Sequence, residues 1–111
     1  MARLNYFELP TGDIVRARTF YAAAFGWDFT DFGPSYAATT SGDTDIGLQA
    51  DPAEQTAAAL PVIEVAELEQ ALSAVERAGG TVTQAVFSFP GGRRFHFTDP
   101  DGHELAAVQP A

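Results

Sequence analysis

The stretch "RRFHFTDPDGHELAAVQ", Arg93 to Gln109, decides how the rest of the chain is read. It holds both histidines of the protein and packs three carboxylates around one tight turn. Asp-Pro-Asp-Gly satisfies local turn geometry, because Asp side chains cap their own backbone and Gly accepts a positive φ. The flanking runs "RRFHFT" and "ELAAVQ" then read as the two strands of a hairpin, with a loop from Asp99 to His103. Side chains alternate faces along a strand. Phe95 and Phe97 are natural core residues, which puts Arg94, His96 and Thr98 on the opposite face. Cross-strand pairing sets His96 opposite Ala106 and Thr98 opposite Glu104. Asp99, Asp101 and His103 are expected to serve the turn.

Outward from the hairpin, the chain repeats a plan. "LPVIEV" reads as a strand. "AELEQALSAVERA" follows as a helix, with Leu68, Ala71, Leu72 and Val75 on one face and "GG" as its stop. "TVTQAVF" precedes the hairpin as a further strand. The first half has the same order. "LNYFELP" is extended, and "IVRARTFYAAAF" is a helix whose apolar stripe is expected at Ala17, Phe20, Tyr21 and Ala24, ended by Gly26. "WDFTDF", "YAATTS" and "DIGLQ" are three short strands, with "SGD" as the turn between the last two. The order βαβββ, linker, βαβββ gives an α+β fold of one domain with two modules, 3–50 and 60–110, joined by a polar, alanine-rich linker at 51–59. Each half is too small to bury its own apolar face. A ferredoxin-like βαββαβ sandwich is the rival, and it leaves the final hairpin unexplained.

Composition narrows the chemistry. The 111 residues carry a formal net charge of −9, against the basic face that nucleic-acid binding requires. All six basic residues are arginine, so Schiff-base lysines and P-loops are excluded. Cysteine is absent, and with it disulfides, thiolate metal ligands and a thiol nucleophile. None of the four serines sits in a G-x-S-x-G elbow. No apolar run approaches the roughly 20 residues that span a bilayer. The start "MARLNYFELP" has no signal-peptide pattern, so no membrane partner and a cytoplasmic location are expected.

Together "FELPTGDIVRARTFYAAAFGW", "VIEVAELEQALSAVERAGG" and "FHFTDPDGHELAAVQ" resemble the vicinal oxygen chelate superfamily of glyoxalase I, bleomycin resistance proteins and extradiol dioxygenases. The likeness runs from about Arg3 to Gln109. It implies two βαβββ modules forming an incomplete barrel around a cavity, and a homodimer. In metal-using members it implies a divalent cation held by His, Gln or Glu of first and last strands. Counted onto this chain, those positions fall on Tyr6, Ile46, Leu60 and Ala106, which offer no ordinary ligand set. No cofactor is therefore expected, although a metal set improvised from Glu8, His96 and Glu104 is conceivable.

If Ala106 occupies a former ligand position, then Glu104, Ala106 and Val108 face the cavity and Leu105 and Ala107 pack on the helix. The same parity brings Tyr6 and Glu8, and Leu60, Val62 and Glu64, to the cavity side. The expected partner is a small organic molecule walled by Tyr6, Trp27, Leu60, Val62 and Ala106. Arg94, His96, Glu8, Glu64 and Glu104 supply the polar contacts, a composition suited to a ligand pocket. The alternative is a lyase, isomerase or dioxygenase that either keeps a metal or works by acid/base chemistry. In it His96 moves the proton, Glu8 or Glu64 orients it or acts as base, and Arg94 holds a carboxylate.

Overall fold

The computed structural model describes residues 2–111. Within them the chain forms an α+β fold with two compact units, one of Tyr6–Leu60 and one of Pro61–Ala111 together with the residues up to Asn5. No helix is long and apolar enough to cross a membrane.

The first unit holds most of β1 (Arg3–Pro10), then α1 (Ile14–Phe25), β2 (Thr30–Asp31), β3 (Tyr36–Ala38) and β4 (Asp45–Gln49). Its strands lie in the order β2-β3-β4-β1, with β1 parallel to β4 and the other pairs antiparallel. Asp13 starts α1 by accepting a hydrogen bond from the Arg16 amide at 3.0 Å. Gly26 ends it in the left-handed region at φ 72°, with its N–H donating to the Ala22 carbonyl.

The apolar stripe of α1 differs from the expected one. Phe20 and Ala24 are exposed, while Ile14, Ala17 and Tyr21 are half-buried, and no α1 residue is fully buried. Aromatic and alanine side chains ring this helix on several sides, so periodicity alone does not select its inner face. The rings at the end of the helix pack on each other: Tyr21 and Phe25 both stack on Trp27, at centroid distances of 5.6 and 5.3 Å. The expected strand "WDFTDF" shrinks to the two residues of β2.

The second unit holds all but the first residue of β5 (Leu60–Glu64), then α2 (Leu68–Arg77), β6 (Thr81–Phe89), β7 (Gly92–Thr98) and β8 (Glu104–Pro110). The order is β5-β8-β7-β6, with β5 parallel to β8 and the hairpins antiparallel. β6 is interrupted by two register shifts, between Val82 and Gln84 and between Gln84 and Phe87. The core of this unit is Leu68, Phe95, Phe97 and Ala107, backed by Ala71, Leu72, Val75 and Leu105. The expected stripe of α2 is thus the one it buries. Its first turn is capped from outside the helix, the Gln109 side-chain oxygen accepting from the Leu68 amide at 2.9 Å.

Phe95 is fully buried and Phe20 is 60% exposed. Replacement of Phe95 by Ala is therefore expected to cost about 3–5 kcal/mol in urea unfolding. Phe20→Ala is expected to stay within about 0.5 kcal/mol of the parent, as a surface change.

Candidate functional site

Register fixes the face on which the polar residues of the second unit gather. Val62 pairs with Ala106, and Ala106 pairs with His96, so these three form one lateral row. Glu64, Val108 and Arg94 form the next row, which continues to Phe87. Ile63, Ala107 and Phe95 form the intervening row on the opposite face, against α2. Val62, His96 and Ala106 are all nearly or fully inaccessible to solvent.

His96 is the centre of this face. It is 3% exposed, and its Nδ1 lies 2.9 Å from Glu104 Oε2. Glu104 sits directly opposite Thr98, yet its carboxylate reaches the diagonal neighbour, two residues along β7. Diagonal pairs on one sheet face lie within reach of long side chains. The glutamate on Nδ1 of this imidazole is thus Glu104, a pairing that strand alternation did not indicate. Glu64 instead accepts a hydrogen bond from Asn5 Nδ2 at 3.0 Å. The other ring nitrogen of His96, Nε2, is buried and has no hydrogen-bond partner among the described residues. The Phe87 ring lies beside the imidazole, 5.9 Å between centroids. Arg94, on the same face, holds its guanidinium over the Phe87 and Phe89 rings at 5.3 and 5.4 Å.

The first unit carries a polar cluster of its own. Glu8, 3% exposed, accepts a hydrogen bond from the Tyr36 hydroxyl at 3.1 Å. Tyr36 has one hydroxyl hydrogen, so in its close contact with the Tyr6 hydroxyl it accepts and Tyr6 donates. Burial, then the neighbouring Tyr6 and Glu8, push the Tyr36 phenol far above the ordinary tyrosine range. Both hydroxyls lie over Gly47, in the space that a Cβ there would fill. Register pairs Gly47 with Glu8, while Ile46 pairs with Phe7 and shares its face. The last-strand position of this module that matches Ala106 is therefore Gly47. Ile46 is one residue out, and one residue reverses the face. A glycine inside a strand signals close approach of another group, and that was the clue available in "DIGLQ". Tyr36 had no comparable signal, because its contact depends on how β3 registers on β4.

Leu60, fully buried, opens β5. Trp27 is 40% exposed and lines an open hollow of about 220 Å³ with Arg18, Thr19, Ala22, Asp28 and Phe29. It keeps company with α1 there, apart from the Tyr6 and Glu8 cluster. Asp99, Asp101 and His103 serve the turn as expected. Asp99 Oδ1 accepts from the Asp101 and His103 amides, and His103 Nδ1 lies 2.9 Å from Asp99 Oδ2. The His103 side chain and then its amide hold the Asp99 carboxyl below the usual range. Ligand-capable atoms of Asp99, Asp101 and His103 lie within 4.8 Å of one another, so this exposed group has the chemistry of a metal set.

Two outcomes are expected of the tyrosine cluster. Gly47→Ala should destabilise the fold by about 1–3 kcal/mol in denaturant unfolding, since its methyl must displace both hydroxyls. A phenol whose pKa is raised by folding stabilises fully below the unfolded value of about 10 and loses that contribution as pH rises above it. Stability should therefore fall with alkaline pH, and Tyr36→Phe should flatten that part of the profile.

Comparison with known proteins agrees with this architecture. The family model described as Glyoxalase/Bleomycin resistance protein/Dioxygenase superfamily matches residues 3–107. A superfamily member from Vibrio splendidus 12B01 superposes with TM-score 0.72 at 18% identity, covering 100% of both chains. Methylmalonyl-CoA epimerase from Streptomyces coelicolor, in complex with 2-nitronate-propionyl-CoA, gives 0.78 at 15% identity, covering 98% of this chain and 97% of that one. The Mn(II)-bound glyoxalase from Novosphingobium aromaticivorans gives 0.70 at 19%, covering 98% of this chain and 40% of that one. At such identities these likenesses establish the fold alone. No functionally curated protein matches the chain in sequence. With nearly its whole length matched and the βαβββ plan present twice, the chain belongs to the glyoxalase/bleomycin resistance protein/dioxygenase superfamily.

Proposed function

We propose that the protein binds a small organic molecule against the strand face that carries Val62, Ala106, Arg94 and His96, without the divalent metal that many of its relatives use. The observation that carries this reading is the buried, unpartnered Nε2 of His96. A buried polar atom left without a partner costs about 1–3 kcal/mol. The chain bears that cost at a residue whose other nitrogen is fixed by Glu104. Binding sites commonly combine an apolar floor with a few oriented polar atoms, and Val62 and Ala106 provide such a floor beside the imidazole.

The metal fits this chain poorly. The positions to which the resemblance assigns ligands carry a phenol at Tyr6, an isobutyl group at Leu60, a methyl at Ala106 and, by register, only hydrogen at Gly47. The space beside Gly47, where a ligating side chain would begin, is taken by the Tyr6 and Tyr36 hydroxyls. Divalent first-row metals favour imidazole and carboxylate, which none of these residues supplies.

One feature favours a second reading, in which the bound molecule reacts. Imidazole held by a carboxylate through Nδ1 is the arrangement of a general base, with Nε2 as the working atom. Any such chemistry would run through His96 and Glu104, on the strand face that Arg94 shares.

Metal analysis of protein purified without chelator, followed by calorimetric titration with Zn²⁺, Mn²⁺ and Ni²⁺, tests the metal-free part. No stoichiometric binding is expected. A stoichiometric site lost in both His96→Ala and Glu104→Ala would overturn it. A site lost only in Asp99→Ala would place the metal at the exposed turn and leave the reading standing.

A further inference from the structure

The hydrogen-bond inventory of the His96 pair determines what kind of atom can meet it. An ionised carboxylate accepts and does not donate. Glu104 therefore requires a hydrogen on His96 Nδ1, across a distance of 2.9 Å. A neutral imidazole has one such hydrogen, so Nε2 is left with its lone pair. That lone pair is buried, in a side chain 3% exposed, and no described group donates to it. On the sheet face its neighbours are Ala106 on β8 with Val62 beyond it, Gln84 on β6, and the Phe87 ring alongside, with Arg94 in the next row. The formal net charge of −9 further discourages an anion from approaching.

We propose that Glu104 locks His96 as the Nδ1–H tautomer, and that the bare Nε2 selects a ligand presenting a hydroxyl or N–H hydrogen on an apolar body. This rests on the binding reading given above and names the chemical class that the same face takes. The ligand is a hydrogen-bond donor such as a phenol, an alcohol or an amine. A carboxylate or an ether of the same size lacks the hydrogen that Nε2 needs. Glu104 is then a positioning residue: it does not touch the ligand, and it decides which ring nitrogen is bare.

Three probes of nearly equal size separate the possibilities: phenol, anisole and benzoate. Each is titrated into ¹⁵N-labelled protein, and the His96 ring nitrogens are followed by long-range ¹H–¹⁵N correlation. Without ligand the spectrum should show Nδ1 protonated and Nε2 bare. Phenol should move the Nε2 signal toward hydrogen-bonded values and saturate. Anisole, which can donate nothing, should bind at least about tenfold more weakly. His96→Phe should erase the preference of phenol over anisole. Glu104→Gln, a change at a side chain 38% exposed and therefore tolerable to the fold, should let both tautomers appear and reduce the phenol preference. Benzoate bound more tightly than phenol, with His96 signals moving, would overturn the donor assignment and leave the binding face in place. His96 signals that respond to none of the three would overturn the binding face together with the inference.

Discussion

The register of β7 on β8 is the constraint on which the site depends. His96 faces Ala106 and Phe95 faces Ala107 because the turn between the strands has a fixed length. Asp99 sets that length. Its amide donates to the His103 carbonyl and its own carbonyl accepts from the Gly102 amide, both at 3.0 Å. Gly102 lies at φ 88°, which a glycine adopts without strain. A slip of one residue would turn the imidazole into the core beneath α2 and expose the phenylalanines. The polar hairpin tip is thus the device that aims His96.

Local patterns and long-range contacts separate clearly in what the sequence disclosed. The β7–β8 pairing, the inner stripe of α2 and the capping role of Gly26 all rest on neighbours within a few residues, and alternation or helical period suffices to read them. The inner face of α1 was misread because Phe20 and Tyr21 are adjacent and both aromatic, so the helical period favours neither. Residue order put Glu104 opposite Thr98, correctly, but the length of the glutamate side chain takes its carboxylate to His96. The position matching Ala106 in the first module moved from Ile46 to Gly47 because strings that align by letter need not align by face. Tyr36 carries no local signal of its role, because its hydroxyl meets Glu8 and Tyr6 only after two strand registers have been set.

The two modules have diverged in how they treat buried charge-capable groups. In the first, Glu8 is reached by a chain of two phenols laid over a glycine. In the second, the imidazole is tied to a half-exposed carboxylate and keeps one nitrogen open. The first arrangement uses the hydrogens of both hydroxyls within the cluster, and the second fixes one ring nitrogen of an imidazole through a carboxylate. Similar strand plans therefore carry different polar clusters once a few side chains on one face change.

The interrupted ladder of β6 has a consequence for how the chain behaves in company. β6 is nine residues long and pairs on one side with β7, so its other edge offers backbone donors and acceptors to any passing strand. Its two register shifts bend the strand and break the even spacing that a second strand would need. Thr81, Thr83 and Gln84 further line the exposed part of it with groups that water solvates well. An edge of this kind is a poor seed for the stacking of identical chains into fibrils.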